Sequence, residues 1–211
     1  MRKFNSILLM SMMLLLLNFC VTVNAATAAA VSDPVNVLQQ IAHHMIAELK
    51  ANQATLKSKP QIVYRLAYQH VVPHADVAEM SKRVLPPSVW HQATPEQRKQ
   101  FQAAFTTTLI RTYASALTSY QDQAIRFYPV RGGLTGKNVE VSSEITGAGD
   151  DPIHVTYRMV LRSDGWRLYD MSVEGVSMLE SFRSQFANML EQASIAQFLD
   201  RMAGHNKRVS S

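Results

Sequence analysis

A single cysteine, Cys20, stands in 211 residues, and it falls inside the first 25. Those 25 residues read as a secretory signal: Arg2 and Lys3 give a positive start, Ile7 to Leu17 an apolar centre, and Val23-Asn24-Ala25 the approach to a cut at Ala25 or Ala26. With the signal removed, no thiol and no disulfide remain, so the exported domain, residues 26–211, must hold together by its core alone. A long apolar run is also missing. Spanning a bilayer takes about 20 apolar residues, and the run ending at Leu17 is shorter, which argues for cleavage and against an anchor. A lipoprotein cut before Cys20 is disfavoured by Phe19, which sits where a small residue is wanted.

Other absences narrow the chemistry. There is no glycine-rich phosphate loop and no GxSxG elbow. No aromatic-basic motif points to nucleic acid. Without Arg2 and Lys3 the chain has 19 Lys and Arg against 16 Asp and Glu, a mildly basic balance that permits anionic lipid or an acidic protein patch as partner. Part of it lies in His205-Asn206-Lys207-Arg208, read as a solvated tail. No internal repeat is present.

What the chain does contain is apolar periodicity. After an Ala/Thr/Ser-rich stretch (26–33), read as disordered, Asp33-Pro34 opens a helix with Leu38, Ile41, Met45 and Leu49 on one face. A second helix is expected from Pro60 to Val72, with Val63, Leu66 and Ala67 inward and Pro73 as its stop. A short third carries Val77, Met80 and Val84 and ends at Pro86-Pro87. Thr94-Pro95-Glu96-Gln97 is the clearest helix start. The rod beyond it, to about Tyr120, repeats Phe101, Phe105, Leu109, Tyr113 and Leu117, with Ile110 and Tyr120 beside them, over roughly 38 Å.

Strand patterning then takes over. Ile125 to Val130, the alternating Val139, Val141 and Ile145, and Ile153, Val155, Tyr157, Met159 and Leu161 give three strands, with Gly147 to Pro152 a loop. Ser163-Asp164-Gly165 turns the chain into a fourth, Trp166 to Val173. Glu174-Gly175 breaks that run. Ser177 and Glu180 then form a capping box, followed by Leu179, Phe182, Phe186, Met189 and Leu190 on one helix face. Ser194 and Gln197 cap a last helix, with Ile195, Phe198, Leu199 and Met202 inward and Gly204 at its end. This order is α+β, with helices on one side of a curved antiparallel sheet of about four strands: an NTF2-like cone with an apolar pocket between helix and sheet.

Candidate catalytic groups are few. His70 and His74 lie four apart with Asp76 near, but Pro73 interrupts the helix between them, and a metal site needs three or four ligands. His43-His44 are adjacent and point apart. Asp170 could be a buried base or the partner of an arginine or a loop amide. No metal and no cofactor is expected. Flexible apolar side chains are abundant, among them Met45, Met80, Met159, Met171, Met178 and Met189, and methionine adapts to irregular space and varied ligands.

Four segments, VVPHADVAEMSKRVL, WHQATPEQRKQFQAAF, LIRTYASALTSY and WRLYD…VEGVSM…SFRSQF, resemble the MlaC, or toluene-tolerance, family of periplasmic phospholipid-binding proteins over nearly all of residues 26–211. The resemblance implies a monomeric Gram-negative carrier that is not an enzyme. Such a carrier moves phospholipid between an outer-membrane lipoprotein–porin complex and an inner-membrane ABC transporter with its substrate-binding ring protein, keeping outer-membrane lipid asymmetric. Acyl chains are buried and the headgroup stays in water. The lining then expected is Leu66, Met80, Leu85, Trp90, Phe101, Phe105, Leu109, Tyr113, Leu117, Val141, Tyr157, Met159, Leu161, Tyr169, Met171, Val173, Val176, Phe182 and Phe186. Two competing readings are an NTF2-like enzyme on a small apolar substrate, with Asp170 or His74 as base, and an exported adaptor with a solid core.

Overall fold

Asp33 starts the first helix as its spacing predicts. Its Oδ1 accepts from Val35 N at 2.7 Å, and Pro34 occupies the first turn of α1 (Pro34–Ala51). The structure, a computed structural model, describes residues 32–118, 123–147 and 151–207. The expected leader (1–25), the stretch up to residue 31 that reads as disordered, the expected helix end at Tyr120, the middle of the expected Gly147–Pro152 loop and Arg208 lie outside the described residues. Leu38, Met45 and Leu49 are the buried face of α1.

The helix expected from Pro60 to Val72 is three windings. After α2 (Gln53–Leu56) comes α3 (Gln61–Leu66), then a π turn (Ala67–Val71) and a 3-10 turn (Val72–His74). Pro73 supplies the reason: it lacks an amide hydrogen, and its ring would collide with the carbonyl four residues back in a regular α-helix. Asp76 caps α4 (Val77–Val84) by accepting from Glu79 N at 2.9 Å. Pro86-Pro87 then does more than stop it. Pro86 is extended and Pro87 opens a further helix, α5 (Pro87–Gln92), because proline suits a first helical turn.

The box at Thr94 closes in both directions, Gln97 N to Thr94 Oγ1 at 3.2 Å and Thr94 N to Gln97 Oε1 at 3.0 Å. It starts the long α6 (Pro95–Thr118). Ser177 caps α7 (Met178–Leu190) by accepting from Glu180 N at 3.1 Å. Ser194 and Gln197 box α8 (Ile195–Lys207), which continues past Gly204 instead of ending there.

Among the described residues five strands run antiparallel in sequence order: β1 (Ala124–Phe127), β2 (Asn138–Thr146), β3 (Ile153–Arg162), β4 (Gly165–Val173) and the two-residue β5 (Val176–Ser177). The first strand stops at Phe127, short of Val130. Glu174 (φ 49) and Gly175 (φ 79) make the tight β4–β5 turn; the left-handed backbone suits the glycine and costs the glutamate something. The hairpin tip is tied to β3 by Glu174 N donating to His154 O at 2.9 Å.

One irregularity governs the sheet. Met159 pairs with Leu168, yet Arg158 pairs with Asp170, so Tyr169 is an extra residue in β4, a bulge. Alternation is reset there. Trp166 and Leu168 before the bulge share a face with Met171 and Val173 after it, while Asp170 and Ser172 turn to the other. Helices therefore lie on both faces, not on one. On the first, Leu38 of α1 packs with Val139, Val141, Met159 and Trp166. On the second, Arg162 of β3 reaches Asp76 and Glu79 of α4 at 2.6 and 3.4 Å, and Asp170 reaches the start of α7.

Two further clusters complete the interior. Ala114 joins Met45, Leu49, Leu56, Val63 and Leu66. Phe101, Phe105, Phe182, Phe186 and Phe198 gather with Met80, Val84, Leu85, Leu179, Leu199 and Met202. Their rings meet directly: Phe101 stacks on Phe105 at 5.5 Å, Phe182 meets Phe105 edge-on at 5.5 Å, and Phe198 meets Phe186 at 5.1 Å. Phe198 is fully buried. Phe198→Ala is expected to lower unfolding free energy by about 3–5 kcal/mol, read as a shift in urea midpoint at unchanged m-value.

Candidate functional site

Cross-strand partners carry their side chains to the same face of a sheet. One face can therefore be read row by row. Val139, Met159 and Leu168 form one row, Val141, Tyr157 and Met171 the next, then Val155, Val173 and Val176, and finally Ile125, Ile145 and Ile153. The α1 cluster covers the first of these rows and part of the second. At the other end of the strands Ile125, Ile145, Met171 and Val173 stay half-buried, Ile153 is 44% exposed and Val176 63%. Val155 is buried among them at 3%. This end of the face is an apolar strip open to solvent on several adjacent strands, the kind of contiguous greasy surface that marks a binding site. Tyr157 borders it. Its hydroxyl lies 3.2 Å from Ser143 Oγ, and burial pushes its pKa up.

The residues expected to line a pocket fall into four places. Met80, Leu85, Phe101, Phe105, Phe182 and Phe186 lie in the phenylalanine cluster, with Trp90, Leu109, Tyr113 and Tyr169 against it. Leu66 belongs to the α1–α3 cluster, with Leu117 on its edge. Val141 and Met159 pack under α1, with Tyr157 and Leu161 beside them. Met171, Val173 and Val176 are the open strip. Long-helix and strand residues are thus not gathered round one space; most of the aromatic ones meet one another. The isoleucines Ile125, Ile145 and Ile153 were not singled out from sequence, although alternation already placed Ile145 and Ile153 on inward faces; their shared row follows only from the register.

On the opposite face the bulge aims Asp170 inward, where it is 3% exposed. Four donors reach its carboxylate: Ser177 Oγ at 2.7 Å, Met171 N at 2.9 Å, and Leu179 N and Arg158 Nη1 at 3.2 Å. Both oxygens are occupied, so Asp170 is a brace between strand and helix and offers no free oxygen to a substrate proton. Arg158 also donates to Glu140 at 2.9 Å. Beside this row lies a half-open cleft of about 490 Å³ between the sheet, α4 and α7, lined in part by Lys82, Arg83, Arg158, Tyr169, Asp170, Glu180 and Arg183. Charge periodicity gave no hint of it, because its residues come from five separate segments.

His43, His44, His70 and His74, the histidines weighed as candidates, are spread over α1 and the π and 3-10 turns. His44 stacks on His70 at 5.4 Å and meets His43 at 5.9 Å. His74 lies by Arg167, whose Nη1 donates to Pro73 O. Asp76 is engaged by Arg162 and Glu79 N. Among the described residues no group of three His, Cys, Asp or Glu is placed to hold a metal.

With this geometry in place, comparison with known proteins identifies the chain's relatives. The family model described as MlaC protein matches residues 39–204. The chain belongs to the MlaC family. Toluene tolerance protein ttg2D of Pseudomonas putida is 30% identical over 163 residues, 77% of this chain and 75% of that protein. The intermembrane phospholipid transport system binding protein MlaC of Haemophilus influenzae is 27% identical over 179 residues, 83% of each chain. A solved structure of the phospholipid-binding protein from Ralstonia solanacearum, in complex with a phospholipid, matches with a TM-score of 0.77 at 27% identity. That match covers 85% of this chain and all of the other. The α+β fold, a sheet of several strands packed by helices, is shared between this MlaC-family chain and that structure.

Two predictions follow from the braces of this chain. Asp170→Ala strands Ser177 Oγ and Leu179 N in a buried site and is expected to cost about 3 kcal/mol, measured by chemical denaturation. Burial, then Arg167, then His44 hold the His74 pKa below its usual 6.5. The unfolded chain then binds the proton more readily, so this contribution to stability is full above pH 6.5 and is lost as pH falls below it. Melting temperature followed across that range should fall more steeply for wild type than for His74→Gln.

Proposed function

We propose that the chain binds phospholipid in the periplasm and carries it between the inner and outer membranes, holding acyl chains against the open apolar strip and leaving the headgroup in water. The observation that carries this reading is the strip itself, where Val176 is 63% exposed and Ile153 44% at the uncovered end of a sheet face. The names of the relatives supply the ligand class. The proposed lining is Tyr157, Met171, Val173 and Val176 with Leu161 beside them; Leu109, Tyr113, Trp90 and Tyr169, packed against the phenylalanine cluster, and Leu117, on the edge of the α1–α3 cluster, stand apart from the strip and are left out of it. The fully buried Leu66, Met80, Leu85, Phe101, Phe105, Val141, Met159, Phe182 and Phe186 are proposed as the groups that part or repack when tails enter. In this reading residues 1–25 are a cleaved signal and 26–211 a single NTF2-like domain. The outer-membrane lipoprotein–porin complex and the inner-membrane ABC transporter with its ring protein are the partners at either end.

Elementary energetics say why a carrier is needed. Each buried CH₂ is worth about 0.8 kcal/mol, so two tails of about thirty methylenes represent on the order of 25 kcal/mol. A carrier that offers an equally dry surface brings transfer from bilayer to protein close to neutral, and direction is left to the membrane partners. Met171 and its neighbours suit this task, since flexible thioether and aromatic groups adapt to tails of different shape. An enzymatic reading loses its base at Asp170, whose oxygens are both taken.

Phospholipid is expected to copurify with the wild-type protein, in near-equal molar amount, as seen by native mass spectrometry and lipid extraction. Val173→Glu, which sets an unpaired charge where a tail would lie, is expected to lower that content about tenfold or more. Wild-type protein without extractable lipid, or a variant with undiminished content, would sink the proposal.

A further inference from the structure

The cleft beside Asp170 has an unbalanced set of charges. Of its acids, Glu140 and Asp170 are both engaged by Arg158. Arg83 pairs with Glu79 through Nε and Nη2 at 2.8 Å, and its guanidinium is held 4.6 Å from the centre of the Tyr169 ring. The Ser177 hydroxyl is committed to Asp170 and Glu180 N. This leaves Lys82 from α4 and Arg183 from α7 without an ion-pair partner among the described residues, facing one concavity of about 490 Å³ with Glu180 as its single unpaired acid. That volume lies in the range of small-ligand sites, about 300–1,000 Å³. Two cations on the lining of one half-open cleft raise the positive potential in it. An arginine fork beside a lysine point charge matches the several oxygens of a phosphate, and Arg83, fixed by Tyr169 and Glu79, keeps Nη1 to add.

We propose that this cleft is an oxyanion site, taking a phosphate group between Lys82 and Arg183 with Arg83 behind it. It lies on the face of the sheet opposite the apolar strip, because Glu140, Arg158 and Asp170 alternate with Val141, Tyr157 and Met171. A lipid whose tails lie on the strip therefore does not fill it. The phosphate comes from elsewhere, either a soluble phosphate ester or a headgroup at a bilayer surface.

The test uses the full exported chain, glycerol phosphate as the soluble probe, and vesicles of phosphatidylglycerol in phosphatidylcholine as the membrane probe. Binding is read by calorimetry and by vesicle flotation, in wild type and in Lys82→Gln/Arg183→Gln. Saturable binding of glycerol phosphate, about tenfold weaker in the double variant, with lipid content and melting temperature unchanged, supports the site. Binding to phosphatidylglycerol vesicles alone, lost in the double variant, supports it with the bilayer as source. Wild type that binds the ester yet carries no phospholipid leaves this site standing and removes only the carrier reading. No saturable binding of either probe, binding that the double variant retains, or a variant that loses anion and cargo together overturns it.

Discussion

The Asp170 carboxylate is the joint on which the architecture turns. A strand in strict alternation would send residue 170 to the face that carries Trp166 and Leu168. The bulge at Tyr169 sends it to the other, where it meets Arg158, Ser177 and two amides. A buried carboxylate is tolerable only when its lone pairs are filled, and here four donors fill them. Those donors come from β3, β4, the cap residue Ser177 at the end of β5, and the first turn of α7. The same group therefore fixes the register of β4, the entry of α7 and the placement of Arg158. With α7 so placed, Phe182 and Phe186 fall against Phe101 and Phe105, and the helical half of the molecule locks to the sheet.

The bulge has a second effect, on the opposite face. Because it resets alternation, Met171 and Val173 continue the apolar rows begun by Trp166 and Leu168. Without it, one end of β4 would present Asp170 and Ser172 to the greasy side, and the strip would be broken in its middle. One inserted residue thus separates a dry face from a charged one within a single sheet. For a protein that must hold hydrocarbon in water, such separation matters more than the size of any one pocket. Mixed faces would force polar groups to lose water whenever a tail arrived, at about 1–3 kcal/mol for each group left without a partner.

Much of this was legible in the residue order, and the reasons are local. Asp33-Pro34 and Thr94 with Gln97 are short-range chemistry and form as their spacing predicts, while at Ser177 the hydroxyl half of the expected box forms, accepting from Glu180 N. The alternation of β2 and β3 and the two-residue turn before Trp166 are equally local. Missed features depend on contacts far along the chain. Pro86-Pro87 reads as a stop until Pro87 is seen starting α5. Gly204 reads as a terminator, yet the helix continues, stitched to α6 by Arg111 Nη1 donating to His205 O at 3.0 Å and Asn206 Nδ2 to Ala104 O at 3.0 Å. The bulge is invisible to a period-two pattern, since Trp166 to Val173 is apolar or aromatic at both parities. The site was half legible for the same reason: sequence marks Tyr157, Met171, Val173 and Val176 as bulky and apolar, but only register shows which of them α1 leaves uncovered.

The distribution of burial also bears on how a guest could be admitted. The phenylalanine cluster is closed, with Phe101, Phe105 and Phe198 at zero exposure and rings in mutual contact, and opening it would forfeit several kcal/mol of packing. The strip is open, and covering it removes apolar surface from water at no such loss. On the proposed reading, a tail arriving from a bilayer would meet its first favourable contacts at Val176, Ile153 and Val173, and would press inward toward Met171 and Tyr157 only as far as the gain along its length offsets the rings it displaces. Depth of insertion becomes a balance between two hydrophobic terms of the same kind and similar size. In that reading, a small bias from a membrane partner would be enough to tip it toward loading or release.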